Sequence, residues 1–383
     1  MGTRLRTLVT VALACGLLLS ACTTGDGADH AKGRRSTGTS TSTTTTPTTT
    51  PPPPAPVNVY AHTGANMMSP AVAGVPTRVY VPNSESDTLD VIDVATMQIV
   101  DHYSTGDLPQ HVVPSWDLKT LYINNNRGNT LTPIDPMTGK PGANIPVNDP
   151  YNLYFTPDGT KAAVMAEREQ KIDFRNPHDW SLISSLSIPH RGVNHADFSA
   201  DGTTMFASTE FDGGWLVRID LATMAVTGEV DLGGAAVDVK LAPDGKLVYV
   251  ANQGRGGVSI VDPATMTEVG FVVTGKGAHG MYPSRVGTKL YVSNRLAGTV
   301  SVFDFATNTV LTTWNIGGSP DMGGVSPDGS QLWLSGRYNS AVYVIDTNTG
   351  TLIKTFRVGA GPHGICFFPQ PGRYSMGHTG NYR

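Results

Sequence analysis

A unit of about 42 residues recurs seven times between about Val75 and Gln370. A fixed period of this size restricts a chain to solenoid, propeller or array architectures. A short polar turn marks the middle of every unit: Asp93-Val-Ala-Thr96, Asp135-Pro-Met-Thr138, Asn176-Pro-His-Asp179, Asp220-Leu-Ala-Thr223, Asp262-Pro-Ala-Thr265, Asp304-Phe-Ala-Thr307 and Asp346-Thr-Asn-Thr349. Only the third lacks the Asp-x-x-Thr pattern. A second marker falls between units, as Asp158-Gly159, Asp201-Gly202, Asp244-Gly245 and Asp328-Gly329, with Asp117 and Val286-Gly287 as variants.

Each unit divides into four short segments rich in Val, Tyr, Thr and Trp. In the fifth and sixth they are His279-Gly-Met-Tyr-Pro, Lys289-Leu-Tyr-Val-Ser, Thr299-Val-Ser-Val-Phe and Val310-Leu-Thr-Thr-Trp. Such composition, punctuated by Gly, Asn and Asp, predicts strands. No apolar period of 3.6 is sustained, so helix is not expected. Asp-Gly supports a tight turn, and Asp-x-x-Thr places two short polar side chains where they bond local backbone. Four strands per unit and seven units predict an all-β, seven-bladed propeller of four-stranded antiparallel blades. The first unit opens on a second strand, Thr77-Arg-Val-Tyr-Val, and the last ends on an innermost one, His363-Gly-Ile-Cys-Phe-Phe. Pairing these two closes the ring and removes exposed strand edges. Val57 to Gly74 and Arg373 to Arg383 fall outside the repeats. Both carry His-Thr-Gly, at residues 62–64 and 378–380, and are expected beside each other at the seam.

The segments Tyr80-Val-Pro-Asn83, Tyr122-Ile-Asn-Asn125, Tyr249-Val-Ala-Asn252 and Tyr291-Val-Ser-Asn294 resemble the YVTN-type repeat family of seven-bladed propellers. The likeness spans about 300 residues and weakens in units three and four, where Ala163-Val-Met-Ala166 and Met205-Phe-Ala-Ser208 stand in that place. It implies a fold. Similar propellers include lactonase-like enzymes, haem d1-binding domains and envelope proteins, so it does not imply one activity.

Residues 1–21 look like a secretory signal: Arg4 and Arg6, then an apolar run from Leu8 to Leu19 too short to span a bilayer. The run ends in Leu19-Ser20-Ala21-Cys22, which resembles the bacterial lipobox. That resemblance implies cleavage before Cys22, a lipid (palmitate) on Cys22, and an extracytoplasmic protein anchored to the cell membrane. Residues 22–56 then read as a Thr/Pro-rich disordered tether, and 57–383 as the propeller. Cys15 leaves with the signal. Cys366, between Ile365 and Phe367, reads as a buried small hydrophobe. A formal charge of −4 with no Lys/Arg cluster gives no sign of nucleic-acid binding.

One constellation has chemical potential. His111, His195, His279 and His363 recur every 84 residues, two repeats apart, each at the start of an innermost strand. Asn152, Asp238 and Asp321 hold the matching place in the units between. These seven should ring one mouth of the central channel. Arg127, Arg168, Arg255, Arg295 and Arg337 sit on loops expected on the same face. Guanidinium forks suit carboxylate and phosphate, although Glu167, Glu169 and Glu210 dilute the positive field. The primary reading is a binding module for an anionic small molecule or an envelope partner protein at this His/Arg mouth. No cofactor is expected on that reading. Ring closure makes His363 and His111 neighbours, but intervening blades should separate most of the histidines too far for a four-His metal site, whereas a single metal ion or a haem with one His ligand stays open. So does a lactonase-like or haem-dependent enzyme using His111, His279 or His363 as base or axial ligand, and so does a structural envelope protein without ligand. Gly-x-Ser-x-Gly, His-Glu-x-x-His, Cys-x-x-Cys-His and phosphate-loop motifs are all missing.

Overall fold

The computed structural model describes residues 57–378 and 380–383; the signal, Cys22 and tether lie outside them. Seven four-stranded antiparallel sheets follow one another around an axis. Blade 1 contains Arg78–Asn83, Thr88–Asp93 and Gln98–Ser104. Its innermost strand is Cys366–Phe368 from the other end of the chain, paired antiparallel to Arg78–Asn83 through Arg78↔Phe368 and Tyr80↔Cys366. The ring closes as the repeat phase predicts. The innermost strands of blades 2 to 7 are Pro109–Pro114, Pro150–Phe155, Val193–Phe198, Ala236–Leu241, Ala278–Pro283 and Pro320–Val325. They are almost wholly buried, whereas outermost strands such as Gln98–Ser104 alternate between exposed and half-buried. In blade 2 the outermost strand breaks into Lys140–Pro141 and Ile145–Pro146, since proline cannot donate to the ladder.

The turn signals act as their chemistry dictates. Asp93 Oδ1 accepts from both the backbone N–H and the hydroxyl of Thr96 at 2.7 Å, and Asp220 does the same with Thr223. The deviant third turn substitutes Asn176, which accepts from His178 N, and Asp179, which accepts from Ser181. At the inter-unit turns Gly159, Gly202, Gly245, Gly287 and Gly329 all take positive φ, which glycine adopts without steric cost. The blades stick together through apolar clusters shared by neighbours. One joins Ala163, Met165 and Phe174 of blade 3 to Val193, Phe198 and Met205 of blade 4.

The two segments outside the repeats run over the face that carries the first-to-second-strand turns. Val59 N bonds Pro243 O at 2.9 Å and Asn66 N bonds Pro327 O at 2.8 Å. The segments meet where Gly372 N donates to Met67 O at 3.0 Å. The C-terminal one then runs inward: Phe155 N donates to Met376 O, Asn381 Nδ2 to Ala196 O, and Arg383 Nη2 reaches Asp197 Oδ1 at 2.9 Å. It occupies the channel from that side. The two His-Thr-Gly copies therefore diverge, His62 being exposed and His378 buried.

Candidate functional site

The channel side chains face the axis because the innermost strands are bulged. Register slips between Val193 and Ala196, Ala236 and Val239, Ala278 and Met281, and Pro320 and Gly323. His195, Asp238, His279 and Asp321 lie within these slips. A bulge re-aims a side chain and leaves ladder groups unpaired. In three blades a second-strand serine bonds the freed groups: Ser208 with His195 N and O, Ser293 with Gly280 N and O, Ser335 with Met322 N and O. Blade 1 manages without a regular strand there. His363 N bonds Pro82 O, and Gly364 N bonds Gln110 O. Gly364 is glycine for a local reason: a Cβ would fall 2.0 Å from His111 Nδ1.

All seven predicted ring residues are buried. Ring closure makes only His111 and His363 neighbours by blade order, yet the structure brings all four repeated imidazoles together. Ring centroids are 4.8 Å apart for His111 and His363, 5.3 Å for His111 and His195, 5.8 Å for His279 and His363, and 6.3 Å for His195 and His279. The channel is narrow where the bulges turn these rings to the axis. A fifth imidazole, His378, stands 5.0 Å from His111 and 4.7 Å from His195. Periodicity could not reveal it, because it lies outside the repeats; its only signal was an unexplained His-Thr-Gly.

The upper part of this cluster is a polar recess of about 310 Å³. Arg295, Arg337, Glu167, Glu210, Tyr151 and Tyr338 line it, with His279 and His363. Of the five loop arginines, only Arg295 and Arg337 line it. Arg127 is exposed and 3.9 Å from Asp107, Arg168 is tied to Asp149 at 2.7 Å, and Arg255 to Glu268 at 2.7 Å across the Phe271 ring. Asp321 anchors the recess. Arg295 Nη1 is 3.3 Å from its Oδ2, and His279 Nδ1 is 3.0 Å from its Oδ1. Burial works to raise its pKa, but Arg295 and then His279 prevail and hold the carboxyl well below the usual range. Glu167 goes the other way: burial, then the Glu210 carboxylate, pushes it up to about 8. It therefore carries its proton at neutral pH. Arg295 Nε and Arg337 Nη1 are buried without a hydrogen-bond partner.

Four imidazoles of the cluster are held in the neutral form. Burial, then repulsion from His279 and Arg337, lowers His111 to about 3. Burial is also the first cause that holds His195, His363 and His378 well below the ordinary imidazole range. His363 Nδ1 is 2.8 Å from Gln110 Oε1, and Asn152 and Tyr154 both address His195 Nδ1, at 2.9 and 3.2 Å. By contrast both nitrogens of His111, both of His378 and Nε2 of His195 are buried without partners. Each such atom costs about 1–3 kcal/mol when left unsatisfied. Donor atoms of His195, Asp238 and His378 all lie within 4.8 Å of one another, and so do those of His279, Asp321 and His363. The Asp238 carboxylate is already occupied by Lys240 Nζ at 2.9 Å and by the N–H groups of Val239 and Met281.

Bulged blades, a channel filled from one face and a charged recess on the other make the described residues a closed propeller with a polar mouth. Over residues 55–372 the chain belongs to the YNCE-like beta-propeller family. No curated protein matches it. Among solved structures, Kuenenia stuttgartiensis hydrazine synthase shares 19% identity with TM-score 0.64, covering 74% of this chain and 95% of that one. A putative 6-phosphogluconolactonase from Bacteroides fragilis shares 19% identity with TM-score 0.62, covering 79% and 100%. Dihydro-heme d1 dehydrogenase NirN, in complex with DHE, shares 15% with TM-score 0.59, covering 78% and 76%. Identities this low establish the common fold alone.

Proposed function

We propose that the protein is a binding module that captures a small anionic ligand, or an acidic group of a partner protein, in the recess of the open mouth. The observation that carries this reading is the pair Arg295 and Arg337, which line the recess while each keeps a buried N–H without a partner. A carboxylate or phosphate supplies the acceptors these donors lack. Protonation of Glu167 at neutral pH reduces the negative charge that would oppose an anion. Tyr151 and Tyr338 add walls suited to a ligand with a flat or apolar body. We further infer that the propeller works outside the cytoplasm, held to the membrane through lipid on Cys22; the basic start, apolar run and Leu-Ser-Ala-Cys sequence support this.

A second, hydrolytic reading draws on the recess itself. His279 beside Asp321 offers a base, and protonated Glu167 an acid, on a scaffold like that of the putative lactonase. Calorimetric titration with a panel of sugar acids, dicarboxylates and phosphorylated sugars tests both. Binding that weakens with salt and drops at least about tenfold in Arg337→Gln supports capture of an anion. Turnover of a lactone that is lost in His279→Gln supports hydrolysis. Unchanged affinity in Arg337→Gln would overturn the main reading.

A further inference from the structure

The rim of the mouth is electrically two-sided. In every blade the second strand, such as Ala162–Ala166 or Gln331–Gly336, ends one residue before a rim position, so these positions are equivalent around the ring. Blades 3 and 4 place Glu167 and Glu210 there, and blades 6 and 7 place Arg295 and Arg337. Blade 5 sets Gln253 between the two signs, and blades 1 and 2 complete the circle with the neutral Ser84 and Asn126. Glu85, the next residue of blade 1, also lines the recess but is exposed. In a ring of seven sheets, blades 3 and 7 stand as far apart as two blades can.

The charges of the rim are unequally engaged. Glu210 accepts from Asn194 Nδ2 at 3.1 Å and from Gln253 Nε2 at 3.3 Å. Arg295 donates through Nη1 to Asp321 and through Nη2 to Gln253 Oε1, while its Nε stays without a partner in a side chain only 8% exposed. Among the described residues, the side chains of Glu167 and Arg337 make no hydrogen bond or ion pair, and Arg337 Nη1 is buried. A recess for a plain anion gains nothing from carboxylates on adjacent blades, which repel each other and the guest alike. Burial and then Glu210 push Glu167 up to about 8, a disfavoured arrangement that an ammonium would relieve. Tyr151 lies on the acidic side, its phenol raised by burial and then by Glu167 and Glu210, and the face of such a ring also attracts a cation. We propose that the ligand of this recess is a small zwitterion, an amine joined by a short chain to a carboxylate or phosphate, with its ammonium on Glu167 and its anion on Arg337 and Arg295. This rests on the anion-binding reading of the same mouth and adds a second charge to the guest. The recess, about 310 Å³, lies at the small end of ligand pockets and suits a molecule of amino-acid size.

Calorimetry on the full chain compares two matched pairs, γ-aminobutyrate with butyrate and O-phosphoethanolamine with ethyl phosphate. Each pair differs only in the amine, and the two pairs distinguish a carboxylate guest from a phosphate one. At least one zwitterion should bind about tenfold or more tightly than its amine-free partner. An opposite charge within about 4–6 Å favours a carboxylate by about 10- to 1,000-fold. Glu167, protonated at pH 7 before the ligand arrives, should therefore release roughly half to one proton per bound zwitterion and none per bound butyrate. Titrations in buffers of different ionisation enthalpy read that proton; the other charges acting on Glu167 are Glu210, Asp149, Arg168 and Arg337. Above about pH 8, Glu167→Gln should weaken the zwitterion at least about tenfold and leave butyrate as tight or tighter, whereas Arg337→Gln should weaken both members of a pair. Arg127→Gln, on an exposed loop outside the recess, should bind as the parent does. If Glu167→Gln fails to fold, proton release by the parent decides the matter. Amine-free anions that bind as tightly as their zwitterions, with loss in Arg337→Gln, overturn this proposal and leave the anion reading intact. Zwitterions that do not bind overturn it as well, and the anions of the wider panel then decide the broader reading on their own.

Discussion

Gly364→Ala isolates one contact of the channel. The added Cβ would sit 2.0 Å from His111 Nδ1, 2.6 Å from Cγ and 2.8 Å from Cε1. Gly364 is not among the residues with positive φ, so the backbone accepts alanine and the cost is the clash alone. His111 has little room to retreat, with Tyr151, His195, His363 and His378 within 5.4 Å, centroid to centroid. Overpacking in a confined site costs about 1–3 kcal/mol, and this position belongs at the upper end. An unfolding entropy of about 2.1 cal/mol/K per residue over the roughly 330 residues of the propeller gives about 0.7 kcal/mol/K. The melting temperature should then fall by about 3–4 °C. Gly270→Ala is the matched control: its Cβ would meet Ile260 at 3.5–3.9 Å, ordinary contact distance, so no loss is expected there. Differential scanning calorimetry reads both. His111→Ala should relieve the clash, so the double variant should lose less than the sum of the singles. A Gly364→Ala protein as stable as Gly270→Ala, or strict additivity with His111→Ala, refutes the packing described here.

Two further outcomes are expected. Stability should fall on acidification, because His111, His195, His363 and His378 titrate lower in the folded chain than in the unfolded one. Their contribution is full above the unfolded value near 6.5 and is lost as pH drops towards the folded one, about 2 kcal/mol at pH 5 for His111 alone. Glu167, raised to about 8, works in the opposite sense between about pH 4.5 and 8. Thermal melts from pH 7.5 to 5 should therefore drop in the parent and more steeply in Glu167→Gln, and a flat profile in both would contradict the buried imidazole cluster. In a bacterial host, a labelled fatty acid should be incorporated into the parent chain and not into Cys22→Ser; equal labelling would reject the anchor.

The fold was legible because its determinants are local and repeated. Asp-x-x-Thr, Asp-Gly and Tyr-Val-x-Asn specify turns and strands within a few residues of themselves, and counting them counts blades. The phase of Thr77-Arg-Val-Tyr-Val against Cys366-Phe-Phe also revealed how the ring closes. The candidate site was legible only where it shares that period. His111, His195, His279 and His363 could be placed in the channel, but their mutual distance depends on bulges that no residue type announces. The loop arginines failed as a set because side-chain direction is decided by nearby carboxylates: Asp107, Asp149 and Glu268 draw Arg127, Arg168 and Arg255 away. His378 was invisible as a ring member, since its position follows from long-range contacts of a non-repeating segment with Tyr154, Ala196 and Asp197.

Blade number has one more consequence. Histidine occupies alternate blades, and an alternating pattern cannot close on an odd ring. Two like neighbours are forced at a single place, between blade 1, which supplies His363, and blade 2, which supplies His111, and there the rings stand 4.8 Å apart. With an even number of blades every gap would be equivalent, and an axial guest could sit in several equal orientations. Seven blades introduce a parity defect at the very seam where the chain's two ends meet. The repeats build a nearly symmetric barrel of imidazole and carboxylate, and the mismatch gives its interior a direction.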